Sequence, residues 1–159
     1  MRRTIIKNIS QVFILLLLFS LNSFAQIDQP KEILTSQKFG AYTVHYTVFN
    51  SKLIPPEVAK TYNLTRGKDL ALMNISLTKT ENGATSLGIP AQIKAKAINL
   101  MQQTKSLEFV EIKEPEATYY LSSFRYTNEE DLRFEVSVLP ASETIPLTIT
   151  FNRRLYTEN

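Results

Sequence analysis

Leu132-Arg133-Phe134-Glu135-Val136-Ser137-Val138 alternates apolar and polar residues without a break. Leu132, Phe134, Val136 and Val138 share one face of an extended chain, and Arg133, Glu135 and Ser137 share the other. A helix would scatter these four apolar side chains around its axis, whereas a strand gathers them. The stretch is therefore a half-buried strand, and it sets the period against which the rest of the chain is read. Phe39–Phe49 repeats it, with Tyr42, Val44, Tyr46 and Val48 opposite Thr43, His45 and Thr47. Ala71, Met73, Ile75 and Leu77 oppose Asn74, Ser76 and Thr78. Asn82-Gly83 follows, a pair that supplies the two positive φ values of a type I′ hairpin turn. Leu107 and Phe109 open a strand to about Lys113, which Pro115 ends. Thr118–Tyr126 puts Tyr120, Phe124 and Tyr126 on one face. Polar residues 128–131 turn the chain into the Leu132 strand, and Leu147, Ile149 and Phe151 form the last strand after a loop from Pro140 to Pro146.

Short strands punctuated by turn residues predict an all-β chain, an immunoglobulin-like antiparallel β-sandwich of about six to eight strands, with a barrel as the alternative. Ala91–Lys105 fits two readings. Its Ala, Lys, Gln, Leu and Met favour a helix, and Ile93, Ala97, Leu100 and Thr104 would share a helical face. As a strand, the shift from Ala97 to Ile98 would require a bulge.

One segment breaks the rhythm, Asn50–Asp69. Pro55-Pro56-Glu57 followed by Val58–Tyr62 predicts one short helix in the connection between the first two strands, with proline and an acid in its first turn. Asn63 and Gly67 would end it. Connections this long in small β domains are more often functional than tight turns are. Lys52, Lys60, Arg66 and Lys68 outnumber Glu57 and Asp69 there. Asn50, Lys60, Tyr62, Arg66 and Lys68 are therefore the candidate binding residues. In the competing structural role, Leu53, Ile54, Val58 and Tyr62 pack as a lid over one open end of the sandwich.

The N-terminus reads as an export leader. Arg2, Arg3 and Lys7 precede an apolar run, Val12–Phe19, and Ser23-Phe24-Ala25 supplies small residues for cleavage after Ala25. The run is too short to span a bilayer, which takes roughly 20 apolar residues. Residues 1–25 are thus expected to be a cleavable signal peptide and residues 26–159 a single β-sandwich domain, with no transmembrane segment after cleavage. The chain holds 18 basic and 15 acidic residues. Subtracting Arg2, Arg3 and Lys7 leaves 15 of each sign, so the exported part has no basic footprint for nucleic acid.

Composition excludes further chemistries. There is no cysteine, hence no disulfide, thiol nucleophile or cysteine-bound metal. His45 is the only histidine, and tryptophan is absent. No zinc set or cofactor motif is read. His45, on the Thr43/Thr47 face, is expected to be a polar strand residue rather than a general base. The acids Glu129-Glu130-Asp131 lack the ligand spacing and glycine of a calcium loop and are expected to be a solvated turn. Tyr119, Tyr120, Phe124 and Tyr126 read as cross-strand packing before ligand platform. Asn63-Leu64-Thr65 and Asn74-Ile75-Ser76 match the glycosylation sequon without further support.

The residues also carry a resemblance. Tyr42-Thr43-Val44-His45-Tyr46, Phe49-Asn50-Ser51, Leu53-Ile54-Pro55-Pro56-Glu57-Val58-Ala59, Asn74-Ile75-Ser76, Ala117-Thr118-Tyr119-Tyr120 and Leu132-Arg133-Phe134 resemble an exported bacterial family known only as domain of unknown function forty-four twenty-six. The likeness implies a periplasmic protein of Gram-negative bacteria and a strand rather than a helix at Ala91. It implies no activity and no site residues. Two functions of different class follow. One is a non-catalytic binding or accessory module whose partner is another envelope protein, bound through the 50–69 segment or an exposed strand edge. The other is a small carboxylate-based hydrolase, for which Glu57, Glu108, Glu111 and Asp131 are available.

Overall fold

Ten strands in two antiparallel sheets account for nearly all the regular structure of residues 34–157, which the computed structural model describes. The leader reading falls on residues 1–25, outside the described residues. In chain order the strands are β1 (Ser36–Phe39), β2 (Tyr42–Asn50), β3 (Leu70–Glu81), β4 (Ala84–Thr85), β5 (Ala91–Asn99), β6 (Thr104–Leu107), β7 (Val110–Lys113), β8 (Thr118–Arg125), β9 (Glu130–Pro140) and β10 (Leu147–Leu155). A 3-10 turn at Ser51–Leu53 and a helix α1 (Pro56–Thr61) lie between β2 and β3. The first sheet runs β1-β2-β3-β8-β7, with β4 beside the end of β3; the second runs β10-β9-β5-β6.

The apolar faces read from alternation meet between the sheets. Tyr42, Val44 and Tyr46 of β2, Met73, Ile75 and Leu77 of β3, and Tyr120 and Phe124 of β8 face Leu132, Phe134, Val136 and Val138 of β9 and Ile149, Phe151 and Leu155 of β10. Phe134 is fully buried and sits at the centre of a ring stack, 5.1 Å from Phe151 and 5.6 Å from Phe124, with Tyr46 a further 4.4 Å from Phe151. Such rings dominate core energetics, and truncating Phe134 to alanine would cost about 3–5 kcal/mol.

Several elements differ from the sequence reading. The stretch read as one strand over Phe39–Phe49 is a hairpin, β1 and β2, with Gly40 at φ +58° in its two-residue turn. The helical connection therefore follows the second strand. Ala91–Lys105 is a hairpin too, and its nine residues of β5 stay in register with β9 from Ala91↔Pro140 to Asn99↔Leu132, so no bulge intervenes. Ile98 simply points to the outer face and is buried there. The strand expected from Leu107 to Lys113 is two strands in different sheets: β6 ends at Leu107, and the chain crosses over at Glu108-Phe109 to enter β7. The lid reading fails in its details. Leu53 is 68% exposed and Val58 38%, while the buried residues of the segment are Ser51 and Ala59.

The Asn82-Gly83 turn has the expected positive φ at both residues, 52° and 80°. After two residues of β4 the chain peels away, and Gly88 takes over the pairing. Its carbonyl accepts from the Thr118 N–H, and the Ile89 N–H donates to the Leu77 carbonyl. A Cβ at Gly88 would stand 2.3 Å from the Thr118 carbonyl oxygen, so only glycine fits between β3 and β8 here.

Candidate functional site

At one end of the sandwich the sheets part. Asn99 closes β5 and its side chain organises the turn to β6: Oδ1 accepts from the Met101 and Gln103 N–H groups, and Nδ2 donates to Gln103 Oε1. β6 then carries Thr104 and Lys105 past the end of β8, and the Lys105 ammonium donates to the Arg125 carbonyl at 2.7 Å. The space left between β5–β6 and β8 is a cleft of about 370 Å³. Ala97, Phe124 and Leu132 form its apolar floor, and each is buried. Asp69, Lys105, Arg125 and Glu130 supply its charges, with Asn99, Gln103, Tyr126 and Thr127 between them.

These polar groups are held in place. Arg125 donates to the Asp69 carboxylate, and the Asp69 carbonyl accepts from the Tyr126 N–H. Glu130 Oε2 accepts from the Thr127 N–H at 2.8 Å and from its hydroxyl. The Tyr126 hydroxyl accepts from Asn50 Nδ2 and donates to the Tyr156 carbonyl, both at 2.8 Å. An apolar floor with a few fixed polar groups is the usual construction of a small-ligand site, and the volume lies within the usual range of roughly 300–1,000 Å³.

Among the five candidate binding residues, Asn50 has an anchoring part. Besides Tyr126 it donates to the Lys68 carbonyl, and its Oδ1 caps the 3-10 turn through the Lys52 N–H. Arg66 is exposed and reaches back to the Lys52 carbonyl. Lys60 and Lys68 are exposed and Tyr62 half-buried. Asn50, through Tyr126, and the Lys68 carbonyl, through Asn50 and Tyr126, tie this set to the cleft. The 50–69 segment is pinned by Ser51, whose hydroxyl both donates to the Gly67 carbonyl and accepts from its N–H.

His45 is exposed and bonded to Thr78 Oγ1 at 3.1 Å. In the acidic turn, Glu129 and Asp131 face Arg154, and Glu130 faces Thr127. No group of three or more acid or histidine side chains placed to hold a metal occurs among the described residues. Tyr120, Phe124 and Tyr126 are buried in the core, and Tyr119 lies on the opposite face of β8. The carboxylates available for hydrolysis are dispersed: Glu57 on α1, Glu108 in the crossover, Glu111 on β7 and Asp131 on β9. The Lys113 ammonium, 3.0 Å away, and then the Tyr120 hydroxyl hold the Glu111 carboxyl below its usual range. Tyr120 itself is pushed up, first by burial. Asp69 and Glu130, the two carboxylates of the cleft, were not brought together by pattern, because Glu130 was weighed only with its neighbours in the acidic turn and nothing local in the sequence joins residues 69 and 130.

The family model for a domain of unknown function, DUF4426, matches residues 36–158. The chain belongs to this family. A DUF4426 family protein from Pseudomonas aeruginosa PAO1 has a similar crystal structure, with 31% identity over 78% of this chain and 95% of that one, and a TM-score of 0.67. FetP of uropathogenic Escherichia coli strain F11, expressed in the periplasm, shares the fold at 11% identity and a TM-score of 0.54 over 78% of this chain and 94% of its own. A copper-bound Glu-to-Gln variant of FetP gives 11% identity and 0.55, covering 77% and 95%. No curated protein matches the chain. The family thus agrees with the resemblance drawn from the sequence and the sandwich with its alternating strands, and no helix among the described residues is long and apolar enough to cross a membrane.

Proposed function

We propose that the protein is exported to the periplasm and acts in the cell envelope as a non-catalytic binding module, seating its ligand in the cleft between β5–β6 and β8. The observation that carries this reading is the cleft itself, with an apolar floor of Ala97, Phe124 and Leu132 under a rim of two acids and two bases whose positions are fixed by hydrogen bonds. That chemistry suits a compact apolar group bearing polar ends, such as a side chain of an envelope protein or a small amphiphile. Lys68 adjoins Asp69 of the rim, and through the 50–69 segment Lys60 and Arg66 would widen the contact to a protein partner. Catalysis by a carboxylate pair draws little support, because Asp69 is engaged by Arg125 and Glu130 by Thr127. The copper held by the FetP variant belongs to that protein. At 11% identity only the fold is shared, and His45, with its Thr78 partner, stands in no cluster of three metal ligands among the described residues.

Crosslinking of the tagged chain in the periplasm of its own host, followed by mass spectrometry, tests the reading. Lys105→Glu with Gln103→Glu should abolish a reproducible partner, and Arg66→Glu with Lys68→Glu should weaken it. A partner retained by the cleft variant would remove the cleft from the binding surface. Turnover of an envelope substrate, lost in both Asp69→Asn and Glu130→Gln, would replace the binding module with a hydrolase.

A further inference from the structure

Four strand edges bound the two sheets, and three of them are guarded. β1, β6 and β7 are four residues each and carry Lys38, Lys105, Glu111 and Lys113. Short length and charge are the usual devices that keep an edge from pairing with another chain. β10 has neither. It is nine residues long and pairs with β9 in an unbroken register from Leu147↔Val138 to Leu155↔Glu130, with no bulge to twist it away. Proline stops at Pro146, just outside it, and Leu147–Asn152 contains no charged residue. The two arginines that follow are turned to other uses. Arg153 stacks on the Phe151 ring at 5.0 Å and donates to the Leu34 and Asn152 carbonyls, and Arg154 faces Glu129 and Asp131.

We propose that this edge pairs with β10 of a second copy of the chain, antiparallel about a twofold axis, so that the two β10-β9-β5-β6 sheets become one continuous sheet. The strand is self-complementary in that register. Setting Thr150 opposite the partner's Thr150 places Ile149 opposite the partner's Phe151 and Thr148 opposite the partner's Asn152. Across 148–152 the pairs match apolar with apolar and polar with polar; beyond them Leu147 lies opposite the partner's Arg153, and no like charges meet. Thr148, Thr150 and Asn152 are exposed and alternate with buried Ile149 and Phe151, so pairing leaves the core face intact. The edge is the one opposite β6, away from the cleft, and the proposal stands whatever the cleft binds.

Sedimentation velocity on the chain recovered after export, across a broad dilution series, should show a concentration-dependent dimer. Thr148→Lys with Thr150→Lys should raise its dissociation constant about tenfold or more, since it sets like charges across the seam. Thr148→Glu with Thr150→Glu should do the same, and an equimolar mixture of the two doubles should dimerise again, which a folding defect would not do. Independently of any variant, amide exchange along β10 should slow as the wild-type concentration rises. A wild-type chain that stays monomeric, a dimer unaffected by both doubles, or a mixture that stays monomeric would each overturn the proposal.

Discussion

Gly88 does at a single position what most of β4 does not. It lets the backbone approach β8 closely enough for the Thr118 N–H to reach its carbonyl. The obstacle to any larger residue is a backbone carbonyl, which cannot swing aside. Gly88→Ala is therefore expected to cost about 3 kcal/mol, the upper end of overpacking penalties, read as a fall in the urea midpoint at constant slope. Ser122 is the opposite case. It faces the core at 1% exposure, and its hydroxyl has no hydrogen-bond partner. Ser122→Ala removes an unsatisfied polar group at little loss of volume and should stabilise by up to about 1 kcal/mol in the same assay. Glu111 gives the molecule a pH response. Its carboxyl is depressed in the folded state, first by Lys113, so its contribution is present above the ordinary carboxylate pKa and is lost as pH falls through the lower folded value. Glu111→Gln should flatten that part of the acid limb of a stability-versus-pH curve, and added salt should shrink the difference.

At the scale of elements, the 50–69 segment hangs on Ser51 as much as on apolar contact. The residue is fully buried, and its hydroxyl satisfies both polar groups of Gly67. Ser51→Ala leaves the Gly67 N–H without its partner, while the Gly67 carbonyl keeps the Leu70 N–H, and should cost about 1–3 kcal/mol, with limited proteolysis within residues 52–66 accelerating more than elsewhere. The strands β2, β9 and β10 were legible from the sequence because each buries one face, and β3 because its core face, Ala71 to Leu77, alternates even though Leu70 and Leu72 are buried on the other side. The β1–β2 turn was missed because Gly40-Ala41 was taken into the run, although Phe39, three residues before Tyr42, already stands out of its two-residue phase. Helix and strand were inseparable over 91–105, since alanine and lysine suit either and the deciding contacts, from Ala91↔Pro140 to Asn99↔Leu132, lie about 40 residues away. The cleft was illegible for the same reason: its floor comes from β5, β8 and β9, and its rim from turns whose meeting depends on the finished sheets. Asn50 was found by pattern, but as a contact residue and not as the cap it is.

For the whole molecule, the two sheets depend on the long-range pairings of β3 with β8 and of β5 with β9, which imply slow folding, in the millisecond-to-second range for such sandwiches. With no cysteine to staple it, the urea transition should be the same with and without reductant, and tyrosine fluorescence and circular dichroism should trace one coincident curve. The order in which the strands are synthesised matters more than their number. Phe151 of β10 bridges Tyr46 of β2 and Phe134 of β9 in the ring stack, so the core lacks a central side chain until residues 147–155 have emerged from the ribosome. Nascent chains stopped before β10 should remain protease-sensitive and open, and the sandwich would lock shut only once residues 147–155 are free to pair.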